Sequence, residues 1–114
     1  MTLEEIWHMD VGEHVLHVLW SDRLLAVTPS AGSLSICTRE GTLVAELPGD
    51  LMGNGIPSWK NAKLATGGLG GSVRIYEPEI SVSPKLTLKP ARGIITKTAW
   101  NPDCSLLGVA QGPG

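Results

Sequence analysis

The chain has 114 residues, of which 42% are hydrophobic and only 4% aromatic; its formal net charge is −2, and it carries 14 Gly and 8 Pro. That apolar content is too high for disorder, no apolar run approaches the ~20 residues that span a bilayer, and no Lys/Arg cluster marks a nucleic-acid or anionic-membrane footprint. One domain of short Val/Ile/Leu/Ala-rich strands joined by tight turns is the expectation.

In chain order, residues 2–9 (TLEEIWHM) read as a leading strand, with Val11-Gly12-Glu13 as a turn. Residues 14–20 (HVLHVLW) form a strand that is apolar on both faces apart from its two His. Asp22-Arg23 turns the chain into 24–28 (LLAVT), and Pro29-Ser30-Ala31-Gly32 turns it into 33–38 (SLSICT). Arg39-Glu40-Gly41 precedes 42–47 (TLVAEL), which closes a unit of four strands. A looser loop, 48–55, leads to 56–59, and Lys60-Asn61 turns into 62–66 (AKLAT). The glycine run 67–71 precedes 72–76 (SVRIY), and a Pro-marked connection, 77–84, leads to 85–89 (KLTLK). Residues 94–100 (IITKTAW), the turn Asn101-Pro102-Asp103 and 105–110 (SLLGVA) begin a third unit. Helical periodicity is missing throughout, so the pattern is an antiparallel meander.

One short pattern recurs three times: Trp20, Leu25 and Gly32; Trp59, Leu64 and Gly71; Trp100, Leu107 and Gly114. The step from Leu to Gly is seven residues in each copy, and the tryptophans lie 39 and then 41 residues apart. A period of this length marks stacked supersecondary units. The first two strands of each unit are apolar on both faces, which suits a small sheet held between neighbouring sheets rather than one with a wet side.

These residues resemble the WD-repeat β-propeller family. The nearest match is the stretch 64–76 (LATGGLGGSVRIY), similar to the family's second strand, turn and third strand; Trp20-Ser21 and Trp100-Asn101-Pro102-Asp103 resemble the end of its first strand. The chain departs from the family where the Trp-Asp pair would fall, at Cys37-Thr38 and Tyr76-Glu77, and where the turn Asp would fall, at Ala31, Gly70 and Pro113. Leu47-Pro48-Gly49-Asp50 stands at the Gly-His position. Of the family's hydrogen-bond tetrad, only His14 and Thr66 are candidate survivors, which implies a loss of about 1 kcal/mol per missing bond. The resemblance implies an all-β fold of antiparallel four-stranded blades in an incomplete propeller. Its expected divisions are a leading outer strand (2–10), blade 1 (11–49), blade 2 (50–90) and the start of blade 3 (91–114). Fewer than three blades do not close a ring of about four to eight. Either the chain is a piece of a longer propeller, or several copies associate.

Catalytic constellations are missing from the sequence. His14 and His17 fall on opposite strand faces, and no thiol or carboxylate completes a metal set with them or His8. The run 67–71 has no following Lys-Ser/Thr or helix, so it reads as a tight turn and not a phosphate loop. No Gly-x-Ser-x-Gly elbow occurs. Cys37 and Cys104 lie in different units without a CxxC pair and read as reduced, partly buried thiols. Glu4-Glu5, Glu77 and Glu79 read as solvated, and Trp7 lies outside the repeat register. No enzyme activity, cofactor or metal is expected.

The functional expectation is a non-enzymatic protein–protein interaction scaffold; the alternatives are a piece of a propeller enzyme whose active site lies elsewhere, or a self-assembling unit. The partners would be other proteins or further blades, without nucleic acid or membrane. Candidate protein-binding residues on the face that gathers the turns and linkers are Glu13, Ser30, Asp50, Asn54, Leu69 and Arg92. An acidic N-terminus is no signal-peptide n-region, so a cytoplasmic location is the expectation.

Overall fold

The structure is a computed structural model that describes residues 15–89 and 93–112, without the side chain of Leu16. The expected leading strand, His8, His14 and Trp7 lie outside these residues. Among the described residues ten strands run β1 (Val15–Trp20), β2 (Leu24–Pro29), β3 (Gly32–Thr38), β4 (Leu43–Asp50), β5 (Ser58–Lys60), β6 (Lys63–Gly67), β7 (Val73–Tyr76), β8 (Leu86–Leu88), β9 (Ile95–Trp100) and β10 (Leu107–Gln111). They form two four-stranded meanders, β1-β2-β3-β4 and β5-β6-β7-β8, followed by the pair β9-β10. Among the described residues these strands all pair antiparallel, and an isolated parallel bridge joins Ile56 to Lys97.

The recurring glycine has a conformational cause. Gly32 (φ 86°) and Gly71 (φ 83°) take the left-handed backbone at the equivalent point, just after the turn into the third strand of each unit. A residue with a Cβ is strained there. The β5–β6 turn is tighter still: Lys60 pairs with Lys63, and both central residues, Asn61 (φ 48°) and Ala62 (φ 64°), are left-handed. Two positive φ values in a two-residue hairpin loop define a type I′ turn, which Asn accepts and Ala does not.

Register gives the repeat its physical meaning. Trp20 pairs with Leu25, Trp59 with Leu64 and Trp100 with Leu107, and directly opposed residues share a face. On the other face the inner pairs are Leu19/Ala26, Ser58/Ala65 and Ala99/Gly108. Leu24, Ala26, Ile36 and Ala45 on the second face of the first unit join Leu34 and Leu47 in one core with Leu64 and Tyr76 of the second unit, and Trp59 packs against it. Cys37 and Tyr76, at the places where the family has Trp, are both fully buried.

Trp59 and Trp100 also reach back to the preceding unit. The indole Nε1 of Trp59 donates to the Leu19 carbonyl (3.1 Å), and that of Trp100 to the Ser58 carbonyl (3.2 Å). Both acceptors are the residue just before the preceding unit's own tryptophan. Between the second and third units, the Ile56 amide donates to the Thr96 carbonyl (2.8 Å) and the Ile95 amide to the Gly68 carbonyl (2.9 Å). Ser58 and Thr98 hydroxyls lie 3.0 Å apart. Gly67 leaves the space that Ile95 fills: a methyl added to Gly67 would overlap the Ile95 side chain. The units are thus interlocked sheets rather than beads on a string.

Candidate interaction surface

The β2–β3 turn, the β6–β7 turn and the linker from Asp50 to Gly55 meet on one rim. Asn54 organises it. Its Oδ1 accepts the Asp50 amide (2.8 Å), and its Nδ2 donates to the carbonyls of Pro29 (3.1 Å) and Gly32 (3.0 Å). Its own amide donates to the Ser30 carbonyl (2.9 Å). Asp50 completes the link to the next unit, accepting the Met52 amide at Oδ1 (2.8 Å) and the Gly70 amide at Oδ2 (2.9 Å). Leu69 donates its amide to the Gly53 carbonyl (2.9 Å). Arg74 reaches the Gly49 carbonyl (3.2 Å).

Gly68 is needed here because an added Cβ would press into the Asp50 side chain. The polar tetrad that the resemblance lacked is therefore matched on this rim by another knot, built from the linker. Buried donors and acceptors must be paired, and Asp50 and Asn54 do that pairing.

Asp50 and Asn54 consequently face inward; both are buried, so neither projects a side chain toward a partner as expected. Ser30 is half-buried. Leu69 is exposed (42%) although it touches Gly53. Glu13 and Arg92 lie outside the described residues. The structure adds two residues that sequence reasoning passed over: Leu51 and Met52 are 85% and 72% exposed at the tip of the linker. Two adjacent large apolar residues inside a Gly/Asp/Asn-rich loop were the available signal. With Leu69 they form an apolar group on a hydrogen-bonded base, and Leu51 borders a cleft of about 320 Å³ with Val27, Ser35 and Glu46.

The opposite rim carries the β1–β2 and β5–β6 turns. A cleft of about 430 Å³ lies there, lined by Trp20, Trp59, Lys60 and the pair Arg23–Glu79. Arg23 Nη2 contacts both carboxylate oxygens of Glu79, at 2.6 and 2.8 Å, and Lys85 meets Glu77 at 2.6 Å. Both carboxylates are therefore paired and not simply solvated, but exposed pairs like these contribute little stability. The Lys85 hydrogen bond holds the Glu77 carboxyl below its usual range, and the Ser105 hydroxyl and amide do the same for Asp103. Burial pushes the Cys37 thiol up, away from the thiolate form that reacts. Cys37 and Cys104 are both free. Among the described residues, no group of three or more His, Cys, Asp or Glu is placed to hold a metal, and no helix is long and apolar enough to cross a membrane.

Solved structures share this architecture. A chain of the Mitotic Checkpoint Complex superposes with a TM-score of 0.76 over 86% of this chain and 31% of its own length, at 22% identity. The computationally designed Ika8 protein matches with a TM-score of 0.73 over 85% of this chain and 30% of its own, at 9% identity. The designed Ika4 protein gives 0.70 over 85% and 65%, at 10% identity. The chain therefore spans less than a third of two of these structures and about two thirds of the other. No protein-family model matches the sequence, and no curated protein is similar enough to count as a relative. The fold is all-β, with antiparallel four-stranded sheets of the kind that form propeller blades.

Proposed function

We propose that this chain is a non-enzymatic protein–protein interaction scaffold of the WD-repeat type, a piece of a larger propeller working in the cytoplasm. Its divisions are a leading strand (2–10), two blades (11–49 and 50–90) and the start of a third (91–114). The observation that carries the reading is the exposed group Leu51, Met52 and Leu69, set on a linker whose polar groups are bonded to two neighbouring turns. Apolar side chains held on a fixed frame bind with little ordering cost, which is how loops on rigid scaffolds serve recognition. A solved chain of the same fold comes from the Mitotic Checkpoint Complex, in keeping with this reading.

The test is selection of peptides from a displayed random library against the wild-type protein. Peptides that bind the rim lose binding to Leu69→Asp and Met52→Asp variants that keep the wild-type circular dichroism spectrum. Selected peptides that bind these variants as well as wild type refute the assignment of the rim.

A further inference from the structure

Asn54 and Gly55 form the one Asn-Gly dipeptide of the sequence; Asn61 precedes Ala62, and Asn101 precedes Pro102. An Asn-Gly bond is chemically labile, because glycine has no side chain to keep its amide nitrogen away from the neighbouring side-chain carboxamide. The structure shows why both residues stand here. Asn54 is buried, and its carboxamide accepts the Asp50 amide while donating to the Pro29 and Gly32 carbonyls, a set that needs an acceptor and two donors at once. Gly55 lies against the backbone of β9, where an added Cβ would collide with the Ile95 carbonyl oxygen. Packing and hydrogen bonding thus demand a pair that chemistry makes fragile.

The same contacts restrain that chemistry. In deamidation the Gly55 nitrogen loses its proton and attacks Cγ of Asn54; the Cγ–Nδ2 bond breaks and ammonia leaves. Water then opens the resulting succinimide to aspartate or isoaspartate. In the folded chain the Gly55 amide donates to the Gly67 carbonyl (2.8 Å) and the Asn54 amide to the Ser30 carbonyl (2.9 Å), within a segment bridged to Gly68. The leaving nitrogen, Nδ2, is held by two carbonyls at 3.1 and 3.0 Å. Nucleophile and leaving group are both engaged, so reaction waits on local opening of the linker. The product does not fit back. A carboxylate at position 54 only accepts, so it would face the Pro29 and Gly32 carbonyl oxygens without a donor, in the knot that already holds the Asp50 carboxylate. Burying such a charge is costly. Isoaspartate, with one more main-chain carbon, also moves the Gly55 amide out of step with Gly67.

We infer that Asn54-Gly55 is a self-modifying site that acts as a one-way latch on the rim. Each opening of the linker from Asp50 to Gly55 exposes it to deamidation by its own backbone and water, and deamidation bars the linker from closing again. The inference holds whatever the rim binds, because it is read in mass and stability rather than in peptide capture.

The experiment is peptide mapping by mass spectrometry on the full chain held in mildly alkaline buffer, folded and in denaturing urea. In urea Asn54 converts to a mixture of aspartate and isoaspartate; in the folded chain it does so at least about tenfold more slowly. Asp50→Ala, which removes the side-chain tie to Gly70 and leaves the Asn54 side chain intact, speeds conversion in the folded chain about fivefold. Asn54→Asp, which installs one product directly, lowers the urea midpoint below that of wild type and of Asn61→Asp, a control on an exposed turn. Conversion as fast in the folded chain as in urea overturns the inference. So does an Asn54 that stays intact in urea, or an Asn54→Asp protein as stable as wild type.

Discussion

The interlock of Gly67 with Ile95 offers the most direct test that the units are packed sheets. Gly67 is buried at the end of β6, and a methyl placed there would overlap Cγ2 of Ile95, itself fully buried. Gly67 has no positive φ, so the cost of Gly67→Ala is steric and not conformational. Overfilling a close contact of this kind costs about 1–3 kcal/mol, a fall of roughly 1 M in the urea midpoint for a chain of this size. Ile95→Ala alone leaves a cavity worth about 2–5 kcal/mol. In the double variant the new methyl occupies part of that cavity, so the combined loss falls short of the sum by about 1–2 kcal/mol, within the range for residues in contact. Urea unfolding followed by tryptophan fluorescence at one fixed protein concentration measures all four corners of the cycle. Additivity within about 0.5 kcal/mol would show that the second and third units do not meet there, and the stacked reading would fail.

Other consequences follow from single side chains. Asn54→Ala removes three hydrogen bonds to Asp50, Pro29 and Gly32 and leaves buried groups unpaired; urea unfolding should register a loss of about 2–3 kcal/mol. Ala62 is exposed and left-handed, so Ala62→Gly relieves the type I′ turn and raises stability by about 1 kcal/mol in the same measurement. Iodoacetamide followed by mass spectrometry should modify half-exposed Cys104 in the native protein and Cys37 only after unfolding, because burial keeps the latter thiol protonated and covered. Glu77, held below its usual range by Lys85, favours the folded state above its unfolded pKa. That contribution disappears as pH falls through the folded value. Glu77→Gln should therefore lower the neutral plateau of a thermal-stability profile slightly and leave its acid end unmoved, flattening the limb between them.

Strand positions were legible because alternation and turn chemistry are local. The Leu-to-Gly step of seven residues located Gly32 and Gly71, whose left-handed backbones only a residue without Cβ adopts freely. The tryptophan register was equally local, since each Trp lies at or one residue from the end of a strand and pairs with a Leu at or one residue from the start of the next. Exposure was not legible. Asp50 and Asn54 have the composition of an exposed loop, yet they lie buried as the knot between two turns. Leu51 and Met52, apolar by composition, stand outside it.

Sequence by itself determined the strands, the turns and the repeat, since backbone geometry and side-chain alternation act over a few residues. Tertiary structure alone decided which carbonyl each indole reaches and which loop residues turn inward. Those choices depend on partners 20 to 42 residues away along the chain, brought close only when the sheets stack and buried polar groups have to find mates.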